Sequence, residues 1–594
     1  MTGRESPLDW TDDGQPRSRQ FGDVYFSAQD GLTEARTVFL QGCGLPDMWA
    51  DRRHFVVGEL GFGTGLNIAA LLDLWRKTRP SDSQLGIFSI EAFCVSAAEA
   101  MRALAHWPEL ADIAQLLTSR WPGCARGRHR VDLPELNAVL DVAVMDVGDA
   151  LKGWTGRADA WFLDGFSPAL NPQMWTDEVL GLVAARSALG ARAATFTVAG
   201  QVRRGLAQAG FTVARQPGFG RKRERLEATW PGKARDPALC RVVVIGAGIA
   251  GAAVARAVRA LGGEAQVIDM AGPGAGASGN PAALVTPRLD AGLGEAAQLF
   301  AEAFRRAITL YGTVPDAVLS RGALQVSSDD RDVDRYGRIA ASDIFEPGSL
   351  TLLDADAATL RLGEPATVSL DQPDAMVVDP GPILAGWAGT VRRAVVASLK
   401  RDGDRWTLLD PGGAEILSAD AVIVAAALGS VMLVDGLPLS PVRGQASWTT
   451  TGETGPTAAF GGYVLPMRDG LLFGSTHDRD DAGDDFRETD QVRNLETLSL
   501  AMPKLGGAVA KVRLSGRASV RAVSQDMMPM AGATDLGGVY VLSGFGSRGF
   551  SLAPLLAEHV AALVMGAPSP ISTAAAALVS PERFARRAAR RGRS

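Results

Sequence analysis

Arg241-Val242-Val243-Val244-Ile245-Gly246-Ala247-Gly248-Ile249-Ala250-Gly251 decides the fold of the larger part of this 594-residue chain. The valine-rich run Arg241–Ile245 predicts a buried strand, and the alanine-rich stretch Gly251–Leu261 predicts a helix. A second strand is predicted at Gln266–Ile268, ending at Asp269. Gly246-x-Gly248-x-x-Gly251 between strand and helix, with an acidic residue about 20 positions on, meets the context of a dinucleotide-binding fingerprint. The third glycine lets helix and strand pack closely, and a pyrophosphate rests on the helix N-terminus. FAD and NAD both satisfy this pattern. The small-residue loop Gly276-Ala277-Ser278-Gly279-Asn280-Pro281-Ala282-Ala283 suits a wrapped flavin and tips the choice to FAD. Near the C-terminus, Gly544-Phe545-Gly546-Ser547-Arg548-Gly549 precedes another helical pattern. Its amides can face the flavin, and Arg548 can bind a carboxylate or phosphate bidentately.

A second cradle of a different kind lies about 180 residues upstream, at Glu59-Leu60-Gly61-Phe62-Gly63-Thr64-Gly65. It follows the predicted strand His54–Leu60 and opens a predicted helix, Asn67–Trp75. Gly61, Gly63 and Gly65 let the backbone approach a ligand, and the helix start favours a negative group. The next strand, Gly86–Ile90, ends at Glu91, where a carboxylate can accept two ribose hydroxyls. Asp149, after a strand predicted at Val142–Val147, can hold an adenine amino group. No pyrophosphate motif is present, which suits S-adenosylmethionine. Two cradles imply two cofactors, two active sites and two reactions.

Between the cradles, Trp230-Pro231-Gly232-Lys233-Ala234-Arg235-Asp236-Pro237 marks a seam, giving domains at 1–235 and 236–594. Further strands predicted at Ala160–Leu163 and Ala193–Val198, and a helix at Gln201–Gln208, make the first domain a doubly wound, largely parallel α/β sheet. The second domain has more β character, at Ala421–Ala427, Ala446–Thr450, Gly470–Gly474 and Val539–Leu542. It is expected to interleave a Rossmann-type nucleotide fold (about 240–325, 375–440 and 515–570) with an α+β antiparallel substrate domain.

Composition narrows the partners. The net charge of −6 announces no nucleic-acid ligand globally, so any such partner needs a local basic patch. Cys43, Cys94, Cys124 and Cys240 form no C-x-x-C pair, and with five histidines they argue against a metal site or a disulfide framework. A reducing cytoplasm fits best. The N-terminal stretch, with Glu5, Asp9, Asp12 and Asp13, does not read as a signal peptide, and no apolar run suits a membrane span. No obligate protein partner is evident.

Leu163-Asp164-Gly165-Phe166-Ser167-Pro168-Ala169-Leu170-Asn171-Pro172-Gln173-Met174-Trp175 begins where open α/β sheets place their sites. Asp164 can accept a proton or orient an amine, and Phe166 and Trp175 can stack on a base. Arg203-Arg204, Gly218-Phe219-Gly220 and Arg221-Lys222-Arg223-Glu224-Arg225 can contact phosphates, or form a solvated charged turn.

Taken together these residues resemble the bifunctional tRNA 5-methylaminomethyl-2-thiouridine biosynthesis family. The likeness includes Asp23-Val24-Tyr25-Phe26-Ser27, Val38-Phe39-Leu40, the Glu59–Asn67 cradle, the Asp164–Trp175 loop and the Gly218–Arg225 turn. It continues through Gly246–Gly251, Ala277–Asn280, Pro441-Val442-Arg443-Gly444-Gln445, Asp526-x-x-Pro529-x-x-Gly532 and Gly546–Gly549. The order, a methyltransferase followed by an oxidase of the D-amino-acid oxidase group, is distinctive. The resemblance implies work on the tRNA wobble uridine. The FAD half oxidises away the carboxymethyl group of 5-carboxymethylaminomethyl-uridine, and the other half methylates the exposed amine. Asp164 would be the catalytic residue of methylation. An arginine should hold the glycine-like carboxylate, with Arg443, Arg521 and Arg548 as candidates and Gln445 beside them. Arg225 stands where the family pattern has methionine, and His477 where it has tyrosine or phenylalanine. Two rival readings use the same cradles. One is a free amino-acid oxidase fused to a small-molecule methyltransferase, and the other is a non-catalytic, flavin-stabilised tRNA-binding scaffold.

Overall fold

Apolar strands that alternate with amphipathic helices must cover both faces of a sheet, and the first unit of the chain does so. The computed structural model describes residues 6–27, 30–220, 223–233, 240–451 and 455–591. Arg221 and Lys222 of the basic turn, Ala234–Pro237 of the seam, and the side chains of Arg590 and Arg591 lie outside the described residues. The chain divides into two compact units, 1–238 and 239–594.

In the first unit an eight-stranded sheet has the spatial order Gly127–Leu133, Ala138–Val144, Gln84–Glu91, His54–Leu60, Ala158–Leu163, Ser187–Thr195, Glu224–Thr229 and Thr212–Pro217. The five strands from Ala138–Val144 to Ser187–Thr195 run parallel. The outer pairings are antiparallel. Two apolar clusters cover the sheet's faces, one around Phe55, Val57 and Trp75, the other around Phe88, Trp154 and Trp161. His54–Leu60 is central, with the next strand in sequence on one side and Ala158–Leu163 on the other. The chain order reverses there, and such switch points open a crevice at the strands' carboxyl ends. The strand predicted at Val142–Val147 ends early, at Val144. The Asp146 carboxylate instead caps a helix, Val147–Gly153, by accepting the Gly148 N–H at 2.8 Å.

The second unit holds a six-stranded sheet in the order Val391–Arg393, Glu264–Asp269, Arg241–Ile245, Ala421–Val424, Val539–Ser543 and Met530–Ala533. Its first five strands are parallel and the last is antiparallel. Helices Ile249–Ala260, Glu295–Tyr311 and Gly549–Met565 bury their apolar faces in one large core with this sheet. A ten-stranded, mainly antiparallel sheet forms a second layer, built around Leu439–Thr449 paired with Ser515–Ser524 and Ser369–Val378 paired with Val318–Val326. Val318–Val326 and Ser515–Ser524 thus belong to this larger sheet, although the ranges 240–325 and 515–570 take them into the nucleotide fold. The two sheets exchange strands along the chain because nucleotide-fold strands at Ala421–Val424 and Val539–Ser543 bracket the pair Leu439–Thr449 and Ser515–Ser524.

Candidate active sites

At the carboxyl end of the first sheet lies a cavity of about 1180 Å³. The turn after His54–Leu60 must reverse direction within a few residues, and Gly61, Gly63 and Gly65 all take positive φ there. A Cβ on Gly63 would sit 2.9 Å from the Tyr25 ring. Gly61 and Gly63 line the cavity, whereas Gly65 caps the helix Leu66–Thr78 and packs toward Trp121. Glu91 lines it too, with Oε2 accepting the Gly63 N–H and Oε1 the Phe93 N–H, both at 2.8 Å.

Asp164 ends the strand Ala158–Leu163 and faces the same cavity. Its Oδ2 accepts a 2.7 Å hydrogen bond from Nδ2 of Asn67, in the first turn of the cradle helix. Glu59 lies beneath the cavity and is fully buried. Its Oε2 accepts the Ser89 hydroxyl at 2.5 Å, while Oε1 finds no partner. Burial, with the Asp164 and Glu91 charges nearby, drives the Glu59 carboxyl well above the usual range, against the opposing Ser89 hydrogen bond.

Two predicted positions differ in place or use. Asp149 is exposed on the helix Val147–Gly153 and does not reach the cavity; Asp146, at the strand end, lines it instead. Trp175 is 2 % exposed, and its indole N–H donates to the Phe166 carbonyl at 3.0 Å. It therefore fixes the Asp164–Trp175 loop from below and offers no stacking face. Phe166 does line the cavity, and its ring is met by Phe21 at 4.9 Å and Tyr25 at 5.1 Å. Phe21, Tyr25 and Phe93 complete an aromatic wall that the sequence reading did not assign to the site. Asp23 ties this N-terminal segment to the loop, since its Oδ2 accepts the Ser167 N–H at 3.0 Å. The signal was present in Asp23-Val24-Tyr25-Phe26, but nothing local gave it a ligand.

The second cavity, about 560 Å³, lies wholly in the second unit. Gly248, Ser278, Asn280, Gly546, Ser547, Arg548 and Gly549 line it. Gly251 lies behind: a Cβ there would sit 1.8 Å from the Gly246 carbonyl, so only glycine lets the helix start so near the strand. The Ser278 hydroxyl accepts the Ile249 N–H at 3.0 Å, and Arg517 holds the Gly276–Asn280 loop through the Ala275 and Gly276 carbonyls. Asp269 binds the cradle rather than facing the cavity, its Oδ2 accepting the Ala247 N–H at 2.8 Å. The helices beginning at Ile249 and Gly549 both present their N-terminal ends to the cavity.

The arginine candidates separate cleanly. Arg443 is fully buried, ion-paired with Asp490, and donates to the Asp485 carbonyl at 2.6 Å. Gln445 is equally buried, donating to the Arg487 carbonyl and accepting the Arg487 N–H, both at 2.8 Å. Neither reaches the cavity, so this pair secures the Asp485–Arg487 turn. Arg521 and Arg548 do line the cavity. Arg521 donates to the Ser475 hydroxyl at 2.7 Å and the Thr476 carbonyl at 3.5 Å, and Arg548 to the Thr286 hydroxyl at 2.9 Å. Neither forms an ion pair among the described residues. Burial, and then Arg288 nearby, push the Arg548 guanidinium below its ordinary range. His477 is exposed at the same cavity, and burial followed by the Arg521 charge lowers its pKa.

Both donor sets fit their expected cofactors. In the first, the glycine turn, a helix N-terminus and the Glu91 carboxylate suit S-adenosylmethionine. In the second, two helix N-termini and the small-residue loop suit a flavin dinucleotide. Among the described residues no histidine, cysteine and carboxylate group forms a metal cluster, and no helix is long and apolar enough to cross a membrane.

Comparison with known proteins agrees with this division. Residues 108–231 match the model of an S-adenosyl-L-methionine-dependent methyltransferase family, and residues 241–563 that of an FAD dependent oxidoreductase family. The first match begins after the glycine cradle, whose reading rests on geometry. A protein of Caulobacter sp. (strain K31) is 56% identical over 593 residues, covering 98% of each chain. A protein of Caulobacter vibrioides is 56% identical over 582 residues, again covering 98% of each chain. A protein of Maricaulis maris is 40% identical over 592 residues, covering 98% of this chain and 97% of its own. Each of the three is named tRNA 5-methylaminomethyl-2-thiouridine biosynthesis bifunctional protein MnmC.

Proposed function

The chain belongs to the family of bifunctional tRNA 5-methylaminomethyl-2-thiouridine biosynthesis proteins, and we propose on that footing that it completes a wobble-uridine side chain on tRNA in two steps. The second unit oxidises the carboxymethyl C–N bond to an imine, and water hydrolyses that imine to leave the 5-aminomethyl group and release glyoxylate. The first unit then converts 5-aminomethyl to 5-methylaminomethyl. FAD supplies a hydride acceptor for the first conversion, and S-adenosylmethionine an electrophilic methyl group for the second.

In the oxidase unit Arg521 and Arg548 hold the substrate carboxylate. Guanidinium has five N–H donors, and the hydrogen bonds above occupy two on Arg521 and one on Arg548. Two cations in one cavity also disfavour a protonated substrate amine, so the secondary amine is held in its neutral, oxidisable form. Partial burial and the Arg521 charge lower the His477 pKa, which disfavours a third positive charge there. In the methyltransferase unit Asn67 fixes one oxygen of Asp164. The carboxylate then orients the primary amine and accepts the proton that its nitrogen loses as the N–C bond forms. Alignment within the aromatic wall of Phe21, Tyr25 and Phe166 supplies much of the acceleration. Glu91 and Asp146 face the S-adenosylmethionine nucleoside, and Ser278, Asn280 and Gly546–Gly549 the flavin. The work belongs in the cytoplasm, where tRNA is matured.

The observation that carries this reading is the pair Arg521 and Arg548, two cations that line the flavin cavity and form no ion pair among the described residues. Incubation with tRNA bearing the carboxymethylaminomethyl group, followed by nucleoside mass spectrometry, tests it. FAD-loaded protein alone should yield the aminomethyl nucleoside, and added S-adenosylmethionine the methylaminomethyl nucleoside. Turnover of free glycine or sarcosine with unchanged tRNA would overturn it.

A further inference from the structure

The chain's net charge is −6, yet its last helix, Arg583–Arg591, reads Arg-Phe-Ala-Arg-Arg-Ala-Ala-Arg-Arg, with five arginines and no acidic residue. Such a segment, left to itself, would be a solvated tail. Here it is fastened to the oxidase unit. Arg583 is 4 % exposed and donates to Asp526 at 2.8 and 3.0 Å and to the Met528 carbonyl at 2.8 Å. One turn on, Arg587 pairs with the same Asp526. Burial of Asp526 opposes its ionisation, but these two guanidinia hold its carboxyl far below the usual range, so the clamp stays charged.

The clamp leaves cations over. Arg586 lies on the same helix face as Arg583, by the i, i+3 spacing, and its side chain is 52 % exposed. Its ion-pair partner among the described residues, Glu582, stands 3.9 Å away and is itself exposed, a contact of little worth. Asp526 brings one negative charge to the two guanidinia of Arg583 and Arg587, so the clamp itself keeps a net positive charge. The anchoring turn is also connected to the cavity through Arg288, whose charge acts on the cavity-lining Arg548. Asp526 is five residues from Arg521, which lines the flavin cavity, and Met527 in the same turn accepts a hydrogen bond from Arg288 at 2.8 Å.

We propose that the helix Arg583–Arg591 is a phosphate-binding surface, held by Asp526 beside the oxidase cavity to grip the sugar-phosphate backbone of the tRNA. This rests on the tRNA reading of the oxidase site. Arginine forks match phosphate oxygens, and a polyanionic backbone is the partner that a helix of unbalanced arginines complements. Contacts of this kind position the substrate without reading its sequence, so every tRNA carrying the wobble group should use them equally.

The test is steady-state oxidation of carboxymethylaminomethyl tRNA by the FAD-loaded full-length protein across a salt series. It is repeated for Arg586→Ala and for a chain ending at Ala588. Each phosphate contact removed should lower the slope of log KM against log salt by about one. Arg586→Ala should therefore lose about one unit of slope, and the shortened chain more. KM should rise at low salt, converge with the parent at high salt, and kcat should hold. Melting temperature and flavin content should match the parent, because the Asp526–Arg583 clamp is intact in both. Arg586→Ala alone decides the matter if the shortened chain folds poorly. KM and slope equal to the parent's in a well-folded Arg586→Ala protein would overturn the proposal. A parent protein inactive on tRNA would instead sink the function proposed above.

Discussion

Arg521→Met distinguishes substrate binding from structural support more sharply than any other change. The guanidinium touches Ser475 and Thr476 and pairs with no carboxylate among the described residues, so its loss strands no buried anion. Methionine can fill most of the vacated volume. The substrate carboxylate then loses two charge-assisted hydrogen bonds, each worth about 1.5–3 kcal/mol. At the low end that is about 3 kcal/mol, or roughly a hundredfold in kcat/KM. The assay is anaerobic bleaching of the bound flavin by carboxymethylaminomethyl tRNA, with flavin content and melting temperature as controls. Methylation of aminomethyl tRNA should be unchanged. Arg443→Met, a change of the same chemistry 78 positions earlier in the chain, should behave oppositely. It takes from the buried Asp490 its buried cation, leaving only the exposed Arg493 at 3.0 Å, and strands the Asp485 carbonyl, together up to about 3–5 kcal/mol, a large share of a typical domain's stability. That variant should lose folded, yellow protein before any kinetic effect can be read. Wild-type flavin reduction by Arg521→Met, or normal yield and a selective KM defect in Arg443→Met, would refute the assignment.

Asp164→Asn should cut methylation at least about a hundredfold, since it removes the proton acceptor while keeping the Asn67 contact within reach, and oxidation should continue. Loss of both activities would contradict separate sites. Glu59→Gln should stabilise the protein increasingly as pH rises. The folded pKa is raised, so below the unfolded value of about 4.3 both states are protonated and nothing is lost, whereas above it only the unfolded state ionises and stability falls until the folded pKa is reached. Melting temperatures of variant and parent should differ least at or below about pH 4 and diverge as pH rises above it; a constant gap would count against a raised Glu59 pKa. Gly279→Ala should abolish flavin binding, because its Cβ would lie 1.8 Å from the Gly274 carbonyl in the loop that lines the cavity, while methylation survives. Retained flavin at parental affinity would show that the loop can yield.

Local pattern carried much of the architecture, and its failures have physical causes. Both glycine cradles and most neighbouring strands are legible because a turn between strand and helix demands particular residues. Asp149 was misplaced because the apolar run Val142–Val147 contains an internal stop. Asp146 caps a helix there, and a capping aspartate within apolar residues leaves the period-two pattern unbroken. Trp175 looked like a stacking platform because sequence shows an aromatic ring in a loop but not which way it turns. Arg443 and Arg521 lie on strands paired directly with one another, with Val442 opposite Arg521. Adjacent residues on paired strands point to opposite faces, so one arginine enters the cavity while the other goes into a buried ion pair. Pairing register decides between them, and register is a property of two distant segments.

The two cradles also share a device that neither fingerprint describes. Glu91 and Asp269 each end the strand after their glycine turn, and each binds an amide of that turn, Gly63 or Ala247, at 2.8 Å. Their other oxygens bind amides two or three residues on: Phe93 for Glu91, and Ala271 and Gly272 for Asp269. A carboxylate has about four lone-pair sites. Its two amide bonds leave Glu91 spare acceptor capacity toward the cavity, as the proposed ribose role needs, without releasing the turn. Asp269 spends three and keeps one, so it can take a single hydroxyl, or take two by letting go of a backbone amide. The acidic residue at this position therefore shapes the cradle before it meets a nucleotide. Replacing it should disorder the glycine turn, so a weakened cofactor affinity in such a variant reports on the turn before it reports on any contact to the nucleotide.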